Sequence, residues 1–326
     1  MILSKAKIKD IAKGVIYWSD GPEGGLIPHR FCQAQEAEYL SNEAFTLRTR
    51  ATSGVRLECR TDAAALEVSF RAFAGSAKDW YGFDLVIDGV LFGHFEGTLQ
   101  ETDRIHWAQP LPAGEKSLRL YLPCLTGVEI LNVDLQGATC CECVEYTEKI
   151  LVMGDSVTQG YSSRFPSMTY VAQMAAYRHA DFINQAIGGE MFHPEIITPL
   201  DWQPTMALIS YGGNDWAFKD RQRTVDDCAA FLERFHGFYP ELPTVVLTPK
   251  WGLSRPAARM NDDFSREDVA GIIRNVAARY SNTRTVSGLD LFPQIKELMA
   301  DVAHPTELGF IFFAKRLCDA MDKLTF

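Results

Sequence analysis

Hydrophobic and polar residues alternate along much of the first half of the chain. From about residue 45 to residue 136, segments such as LRTRATSGVRLECRT and AALEVSFRAF place apolar residues at every second position, the period of a half-buried β-strand. Turn signals separate the segments, among them Asp88-Gly89 and Pro112-Ala113-Gly114. Several short strands without a long helical period predict an antiparallel β-sandwich, or jelly roll.

The pattern changes after Glu148. Three compact apolar runs predict buried strands, at residues 150–153, 206–211 and 244–248. Amphipathic segments accompany them, one of which opens with Ser265 as a helix N-cap. Buried strands that alternate with helices predict a parallel sheet covered on both faces. We therefore predict an N-terminal sandwich domain over residues 1–145 and an α/β domain over residues 146–326.

The net charge of the chain argues against some classes of binding partner. Lysine and arginine number 32 against 42 aspartates and glutamates, a net charge of −10. An acidic chain without a Lys/Arg-rich block repels a phosphate backbone, so we expect no nucleic-acid partner. No run approaches the roughly 20 apolar residues that span a bilayer, and the N-terminal segment lacks the apolar core of a signal peptide. We expect a cytoplasmic protein that does not bind membranes.

Three of the eight cysteines form the cluster CCEC, at Cys140, Cys141 and Cys143. A zinc site would need a second pair of ligands at a suitable spacing, and none follows in the sequence. We therefore predict no metal site and interpret the cluster as structural or incidental, with a redox role left open.

Candidate chemistry begins where the first strand of the second half ends, in Gly154-Asp155-Ser156. A serine at this point projects its hydroxyl into the crevice at the carboxyl ends of the strands. His304 offers a base, because Asp301 three residues earlier can accept the imidazole Nδ1–H and leave Nε2 free. Taken singly, each motif is also an ordinary helix start or surface turn.

Acyl transfer also needs hydrogen-bond donors for an oxyanion. The second predicted strand is followed by Gly212-Gly213-Asn214-Asp215, where Asn214 can present its side-chain NH₂ to the crevice. The segment from Asn184 to Gly189 offers a further backbone N–H, at glycines that let the chain approach closely.

Together these motifs resemble the sequence blocks of SGNH (GDSL-type) hydrolases, over roughly residues 149–326. The four blocks stand in the family's order, at Gly154-Asp155-Ser156, Asn184 to Gly189, Gly212-x-Asn214-Asp215 and Asp301-x-x-His304-Pro305. The resemblance implies a flavodoxin-like three-layer α/β/α domain. It also implies that Ser156 is the nucleophile, that His304 is the general base and then the acid, and that Asp301 orients His304.

The same resemblance implies an oxyanion hole. Its donors would be the N–H of Ser156, an N–H in the second block and the side chain of Asn214. Either glycine of the Gly188-Gly189 pair could supply the second donor, and Gly189 is favoured. No cofactor is implied.

The first half resembles the N-terminal domain of SGNH proteins of carbohydrate esterase family 2, enzymes that remove acetyl groups from sugar hydroxyls. The resemblance therefore implies a small acylated substrate, an acetylated saccharide above all. Asp155 and the aromatic residues Trp216 and Trp251 fall at the expected crevice and are candidate substrate-binding residues. Assembly into a homo-oligomer stays open.

Two alternatives remain at this stage. The enzyme could act on longer acyl chains as a lysophospholipase or thioesterase, or the chain could be a carbohydrate-binding protein with a degenerate hydrolase domain. If His304 is the base, kcat/KM should fall as its imidazole is protonated, at about pH 6–7 for a modestly perturbed histidine.

Overall fold

The computed structural model describes residues 1–253 and 263–326. Its first half contains three short helices and eleven strands. The helices are α1 (Lys5–Ile11), α2 (Gln33–Glu38) and α3 (Glu43–Arg50). The strands are β1 (Ala12–Lys13), β2 (Tyr17–Asp20), β3 (Leu26–His29), β4 (Arg56–Thr61), β5 (Ala65–Ala72), β6 (Trp80–Ile87), β7 (Val90–Thr98), β8 (Arg104–Pro110), β9 (Lys116–Tyr121), β10 (Val128–Gln136) and β11 (Cys141–Cys143).

These strands form two antiparallel sheets that share one hydrophobic core. One sheet has the order β2-β3-β10-β5-β8, and the other has the order β1-β4-β9-β6-β7 with β11 paired to β4. Alternate residues of β5 are buried, and its Val68 and Phe70 pack in one cluster with Leu57 of β4 and Phe83 of β6. The predicted antiparallel β-rich architecture is confirmed.

The predicted β segment from residue 45 is wrong at its start, because residues 43–50 form helix α3. Asn42 caps this helix by accepting the N–H of Phe45, and Glu43 in the first turn and Arg50 in the last complement the helix dipole. Strand β4 begins only at Arg56. The two-residue alternation in LRTR was therefore not a sufficient signal, because the local capping interactions favoured a helix.

The second half alternates strands and helices. The strands are β12 (Glu148–Gly154), β13 (Ala180–Ala186), β14 (Met206–Ser210), β15 (Thr244–Leu247) and β16 (Thr283–Val286). The helices are α4 (Ser156–Gln159), α5 (Tyr170–Arg178), α6 (Gly213–Phe218), α7 (Arg221–Phe238), α8 (Arg266–Ala277), α9 (Gly288–Leu291) and α10 (Glu307–Met321). Ser265 caps α8 as predicted, accepting the N–H of Asp268.

The five strands form one parallel sheet in the order β13-β12-β14-β15-β16. This is the flavodoxin-like order, in which the first strand lies between the second and the third. Neighbouring residues of β12 enter different cores: Ile150 and Val152 pack on one side of the sheet, and Leu151 and Met153 on the other. The sheet is therefore covered on both faces, and the predicted α/β/α fold is confirmed.

Buried polar contacts join the two halves. Arg56 of β4 donates to Asp181 of β13 at 2.8 Å, and Gln35 of α2 donates to Gln185 of β13 at 2.9 Å. The last sandwich strand ends at Cys143 and the first parallel strand begins at Glu148; the division into domains at residue 145 stays a prediction. None of the helices in the described ranges is long and apolar enough to cross a membrane.

Candidate active site

Ser156 lies at the carboxyl end of β12, the strand between β13 and β14 in the parallel sheet. The strand ends at Gly154, and Asp155 then caps the short helix α4 by accepting the N–H of Val157 at 3.0 Å. Ser156 is the first residue of that helix, so its own N–H has no acceptor within the helix. This places both its hydroxyl and its N–H at the edge of the sheet where α/β proteins bind ligands.

Ser156, His304 and Asp301 form a hydrogen-bonded array. Ser156 Oγ lies 2.8 Å from His304 Nε2, and His304 Nδ1 lies 2.8 Å from Asp301 Oδ2. The other carboxylate oxygen, Oδ1, accepts the backbone N–H groups of Ala303 at 2.8 Å and of His304 at 2.7 Å. The turn that carries the histidine therefore also fixes its carboxylate, and the imidazole is oriented to take a proton from the serine.

The surroundings favour a neutral imidazole. Burial lowers the pKa of His304 below its ordinary value; the hydrogen bond with Asp301 opposes this, and the nearby charges of Lys250 and Lys78 lower the pKa further. Burial alone would raise the pKa of Asp301, but hydrogen bonds from the Ala303 and His304 N–H groups and from the imidazole bring it below its ordinary value. Neutral His304 beside ionised Asp301 is the protonation state that a general base needs.

An aromatic ring covers the imidazole. The ring of Tyr161 lies 4.3 Å from the ring of His304, centroid to centroid, and Lys78 Nζ lies 5.3 Å from the centroid of the Tyr161 ring. Lys78 belongs to the loop between β5 and β6, so the sandwich half contributes a charge to the surroundings of His304.

The geometry distinguishes the two glycines of the second block. The N–H of Gly188 donates to Gln159 Oε1 at 2.7 Å. The N–H of Gly189 has no acceptor among the residues that the structure describes, and Gly189 adopts a φ of +85°. Asn214 Nδ2 donates one hydrogen bond to the Glu190 carbonyl at 2.9 Å, which holds the amide in place and leaves its second hydrogen available. Gly189, rather than Gly188, is therefore free to bind an oxyanion.

Ser156, His304, Gly189 and Asn214 line one cavity of about 520 Å³, a size suited to a small organic ligand. Its wall also includes the three candidate substrate-binding residues, Asp155, Trp216 and Trp251. Asp155 uses one carboxylate oxygen to cap α4, and burial raises its pKa to about 6.

The two tryptophans differ in the surface that they offer. Trp216 is only 4% exposed, its Nε1 donates to the Phe264 carbonyl at 2.9 Å, and the guanidinium of Arg266 lies 4.2 Å from its ring centroid. Trp251 is half-buried and packs against the hydrophobic core on one face of the parallel sheet. Trp251 therefore has more free ring surface for a ligand than Trp216.

The sequence did not point to several residues of the cavity wall. Arg48, Ser76 and Leu125 come from the first half, and no local motif marks them. Lys250 donates to the carbonyls of Trp251 and Ala303, and so braces the turn that carries His304. The sequence could have indicated Lys250, because it follows strand β15 in the same way as the other candidate residues follow the carboxyl ends of neighbouring strands.

The cysteine cluster lies away from this cavity wall. Cys141 and Cys143 are in the edge strand β11, where Cys143 is opposite Cys59 of β4, and Cys143 Sγ lies 3.3 Å from Lys13 Nζ. Cys140, Cys141 and Cys143 are free thiols and do not line the cavity. Among the described residues, no group of three or more His, Cys, Asp or Glu side chains is placed to hold a metal ion.

The second half of the chain matches a known family. Residues 152–310 match the model of the GDSL-like lipase/acylhydrolase family, a range that contains Ser156, Gly189, Asn214, Asp301 and His304. No curated protein gave a significant sequence match to the chain.

Three solved structures share its fold over nearly the whole length. A salicylyl-acyltransferase from a tetracycline biosynthetic pathway is 21% identical, with a TM-score of 0.78, over 96% of this chain and 95% of that one. A Bacteroides ovatus protein described as a GDSL-like lipase is 18% identical, with a TM-score of 0.76, over 97% and 96%. A family two carbohydrate esterase from Clostridium thermocellum, solved with cellohexaose, is 16% identical, with a TM-score of 0.68, over 95% and 97%.

At these identities the structural likeness shows the shared fold, a β-rich N-terminal region joined to a parallel α/β domain. The family match adds the chemistry of the second half. The chain therefore carries a GDSL-like lipase/acylhydrolase domain and is a carboxylic ester hydrolase.

Proposed function

We propose that this protein removes acetyl or other short acyl groups from carbohydrate hydroxyls through an acyl-enzyme intermediate on Ser156. The observation that carries the proposal is the array of Ser156, His304 and Asp301, with 2.8 Å between the serine oxygen and Nε2 of the base. This array opens into a cavity whose wall also presents the Gly189 N–H, which has no acceptor among the described residues.

In the first step, Ser156 Oγ attacks the ester carbonyl carbon as its proton passes to His304 Nε2. The carbonyl oxygen becomes an oxyanion, which accepts hydrogen bonds from the N–H groups of Ser156 and Gly189 and from Asn214 Nδ2. The bond to the sugar oxygen then breaks, and His304 gives its proton to that oxygen. Free carbohydrate leaves, and the acyl group stays on Ser156.

In the second step, water attacks the acyl-enzyme. His304 takes a proton from the water, the same donors stabilise the second oxyanion, and the carboxylic acid leaves as His304 returns the proton to Ser156 Oγ. Asp301 stays ionised throughout and stabilises the imidazolium that forms in each half of the cycle.

Two features support a carbohydrate ester as the substrate. The fold is shared from end to end with a family two carbohydrate esterase that was solved with cellohexaose, including the β-rich N-terminal region. The cavity of about 520 Å³ combines aromatic wall residues, such as Tyr161 and Trp251, with polar groups, the composition suited to a sugar ring and a short acyl chain.

The proposal is tested by hydrolysis of 4-nitrophenyl acetate, butyrate and octanoate, followed by release of acetate from peracetylated glucose and acetylated xylo-oligosaccharides. We expect the highest kcat/KM with the acetyl esters, and no turnover by Ser156→Ala. A preference for octanoate would instead indicate a lysophospholipase or thioesterase. Activity of Ser156→Ala equal to that of the parent would contradict the assignment of the nucleophile.

The matched control is Ser19→Ala. Ser19 also lies 2.8 Å from a histidine, His29, but it does not line the cavity. This variant should keep the parent kcat and KM for all three esters, so that a loss in Ser156→Ala can be attributed to the position of the serine.

A further inference from the structure

A guanidinium from the first half of the chain contacts the loop that carries Gly189. Arg48 of α3 donates through Nη1 to the Gly188 carbonyl and through Nε to Ser76 Oγ at 2.7 Å. Its side chain lines the cavity; Cδ of Arg48 and Cβ of Ser156 lie 3.8 Å and 3.5 Å from the point that a Cβ on Gly188 would occupy. Arg48 therefore lies beside the nucleophile, although 108 residues separate the two in the sequence.

The Gly188 carbonyl and the Gly189 N–H belong to the same peptide group. In a trans peptide these two groups point in opposite directions, so a carbonyl held by Arg48 directs the N–H away from the guanidinium. A cation that donates a hydrogen bond to the carbonyl also polarises the peptide and strengthens its N–H as a donor. One contact can thus both orient and strengthen this donor.

We propose that Arg48 is a positioning residue for catalysis, which orients and polarises the Gly188–Gly189 peptide so that the Gly189 N–H stabilises the oxyanion. The proposal rests on the role of Gly189 proposed above. Through Arg48, the N-terminal half of the chain would contribute directly to catalysis.

Three further observations agree with this role. No carboxylate lies within ion-pair distance of Arg48 in the described part of the chain, so its charge is directed to carbonyl and hydroxyl groups. Burial lowers the pKa of Arg48, a sign that water is partly excluded and that its field is less screened. A methyl group on Gly189 would come within 2.9 Å of Arg48 Nη1, so the contact itself requires glycine there.

A second arginine anchors the same segment. Arg30 is only 1% exposed; its Nη1 donates to the carbonyls of Asn184 and of Ala186, the latter at 2.7 Å, and its Nη2 donates to the Arg48 carbonyl at 2.7 Å. Arg30 and Arg48 thus hold alternate carbonyls along the chain from Asn184 to Gly188. The segment that presents Gly189 is fixed from the sandwich side.

The test compares Arg48→Met and Arg48→Lys with the parent on 4-nitrophenyl acetate. We expect Arg48→Met to lower kcat about 10-fold with KM unchanged, a smaller loss than the roughly 10²–10³-fold expected on removing an oxyanion donor itself. Arg48→Lys keeps a cation that can donate one hydrogen bond, so it should retain more of the parent kcat than Arg48→Met. The Ki of phenylboronic acid, which forms a tetrahedral adduct with the serine, should rise by the same factor as kcat falls.

The matched control is Arg50→Met, which makes the same substitution two residues later on the exposed side of α3 and should behave as the parent. A parent kcat in a folded Arg48→Met variant would overturn the proposal. A raised KM with unchanged kcat would also overturn it, because it would assign Arg48 to substrate binding. A lowered kcat with an unchanged Ki of phenylboronic acid would overturn it as well. If the proposed function itself is wrong, the result is different, because Ser156→Ala then still hydrolyses the ester.

Discussion

Two Ser–His–carboxylate arrays in the described part of the chain have nearly the same geometry. In the first, Ser156 Oγ lies 2.8 Å from His304 Nε2, and His304 Nδ1 lies 2.8 Å from Asp301. In the second, on β2, β3 and α2 of the sandwich half, Ser19 Oγ lies 2.8 Å from His29 Nε2, and His29 Nδ1 lies 2.7 Å from Glu36. The distances alone do not distinguish a nucleophile with its base from a structural network.

The surroundings distinguish them. Ser156 opens a helix at the edge of a parallel sheet and shares a cavity with Gly189 and Asn214. Ser19 lies within β2, paired with β3, and is not among the residues that line the cavity of Ser156. The ring of His29 is stacked on that of Tyr17, with the centroids 4.1 Å apart. Either array can transfer a proton, but among the residues that the structure describes the first also shares its cavity with candidate donors for an oxyanion.

The sharpest test of this contrast is a pair of histidine variants. We expect His304→Ala to lower kcat/KM for 4-nitrophenyl acetate by about 10⁴-fold or more, because the nucleophile loses its base. His29→Ala should leave kcat/KM unchanged. It should lower the free energy of unfolding by about 1–2 kcal/mol, because it leaves partly buried Glu36 and Ser19 without their shared partner.

Covalent labelling adds an independent control. A fluorophosphonate should label the parent and Ser19→Ala once per chain, and Ser156→Ala not at all. Labelling of Ser19 would show that the second array also activates its serine, and that lining the cavity of Ser156 was the wrong criterion.

A smaller effect on kcat is expected from removing the side-chain amide of Asn214. Asn214→Ala should lower kcat by roughly 10²–10³-fold, the usual cost of removing one oxyanion donor, with little change in KM. Asn282→Ala is the matched control, since Asn282 Nδ2 also donates to backbone carbonyls, those of Pro240 and Leu242, but Asn282 lies outside the cavity wall. Equal kinetic losses in the two variants would mean that Asn214 acts only through the fold.

The sequence predicted the parts of the site that lie in compact local blocks. Asp301 and His304 are three residues apart, and both their hydrogen bond and the turn that supports it are local interactions. The fold class was predictable for the same reason, because strand periodicity and helix caps such as Ser265 are read over short windows.

The remaining features depend on contacts that are distant in sequence. The choice between Gly188 and Gly189 depends on Gln159, 29 residues away, whose side chain occupies the Gly188 N–H. Arg48 was predicted to lie in a strand, and its contact with Gly188 spans 140 residues. No local pattern encodes such a contact, because it depends on how the sandwich half packs on the parallel sheet.

The smallest expected effect concerns the acid limb of the pH profile. The sequence predicted a fall in kcat/KM at about pH 6–7, but burial lowers the pKa of His304 below its ordinary value of 6.5. The neutral base therefore persists to lower pH, and we expect the midpoint of the acid limb below pH 6.5. A kcat/KM profile of the parent on 4-nitrophenyl acetate measures it, and a midpoint above this value would contradict the predicted environment of the imidazole.

Lys78→Met tests the electrostatic part of this shift without disturbing the turn that carries His304. Lys78 acts on the imidazole through its charge and lies near the ring of Tyr161, whereas Lys250 also donates to the Ala303 carbonyl. Removing the cation makes the imidazolium less unfavourable, so the pKa of His304 and the midpoint of the acid limb should both rise, while kcat/KM on the plateau stays at the parent value. High salt screens a partly exposed charge, so the difference between Lys78→Met and the parent should shrink in 1 M NaCl, where the Debye length is about 3 Å. A midpoint that does not move, or that moves down, would mean that the charge of Lys78 does not lower the pKa of this histidine.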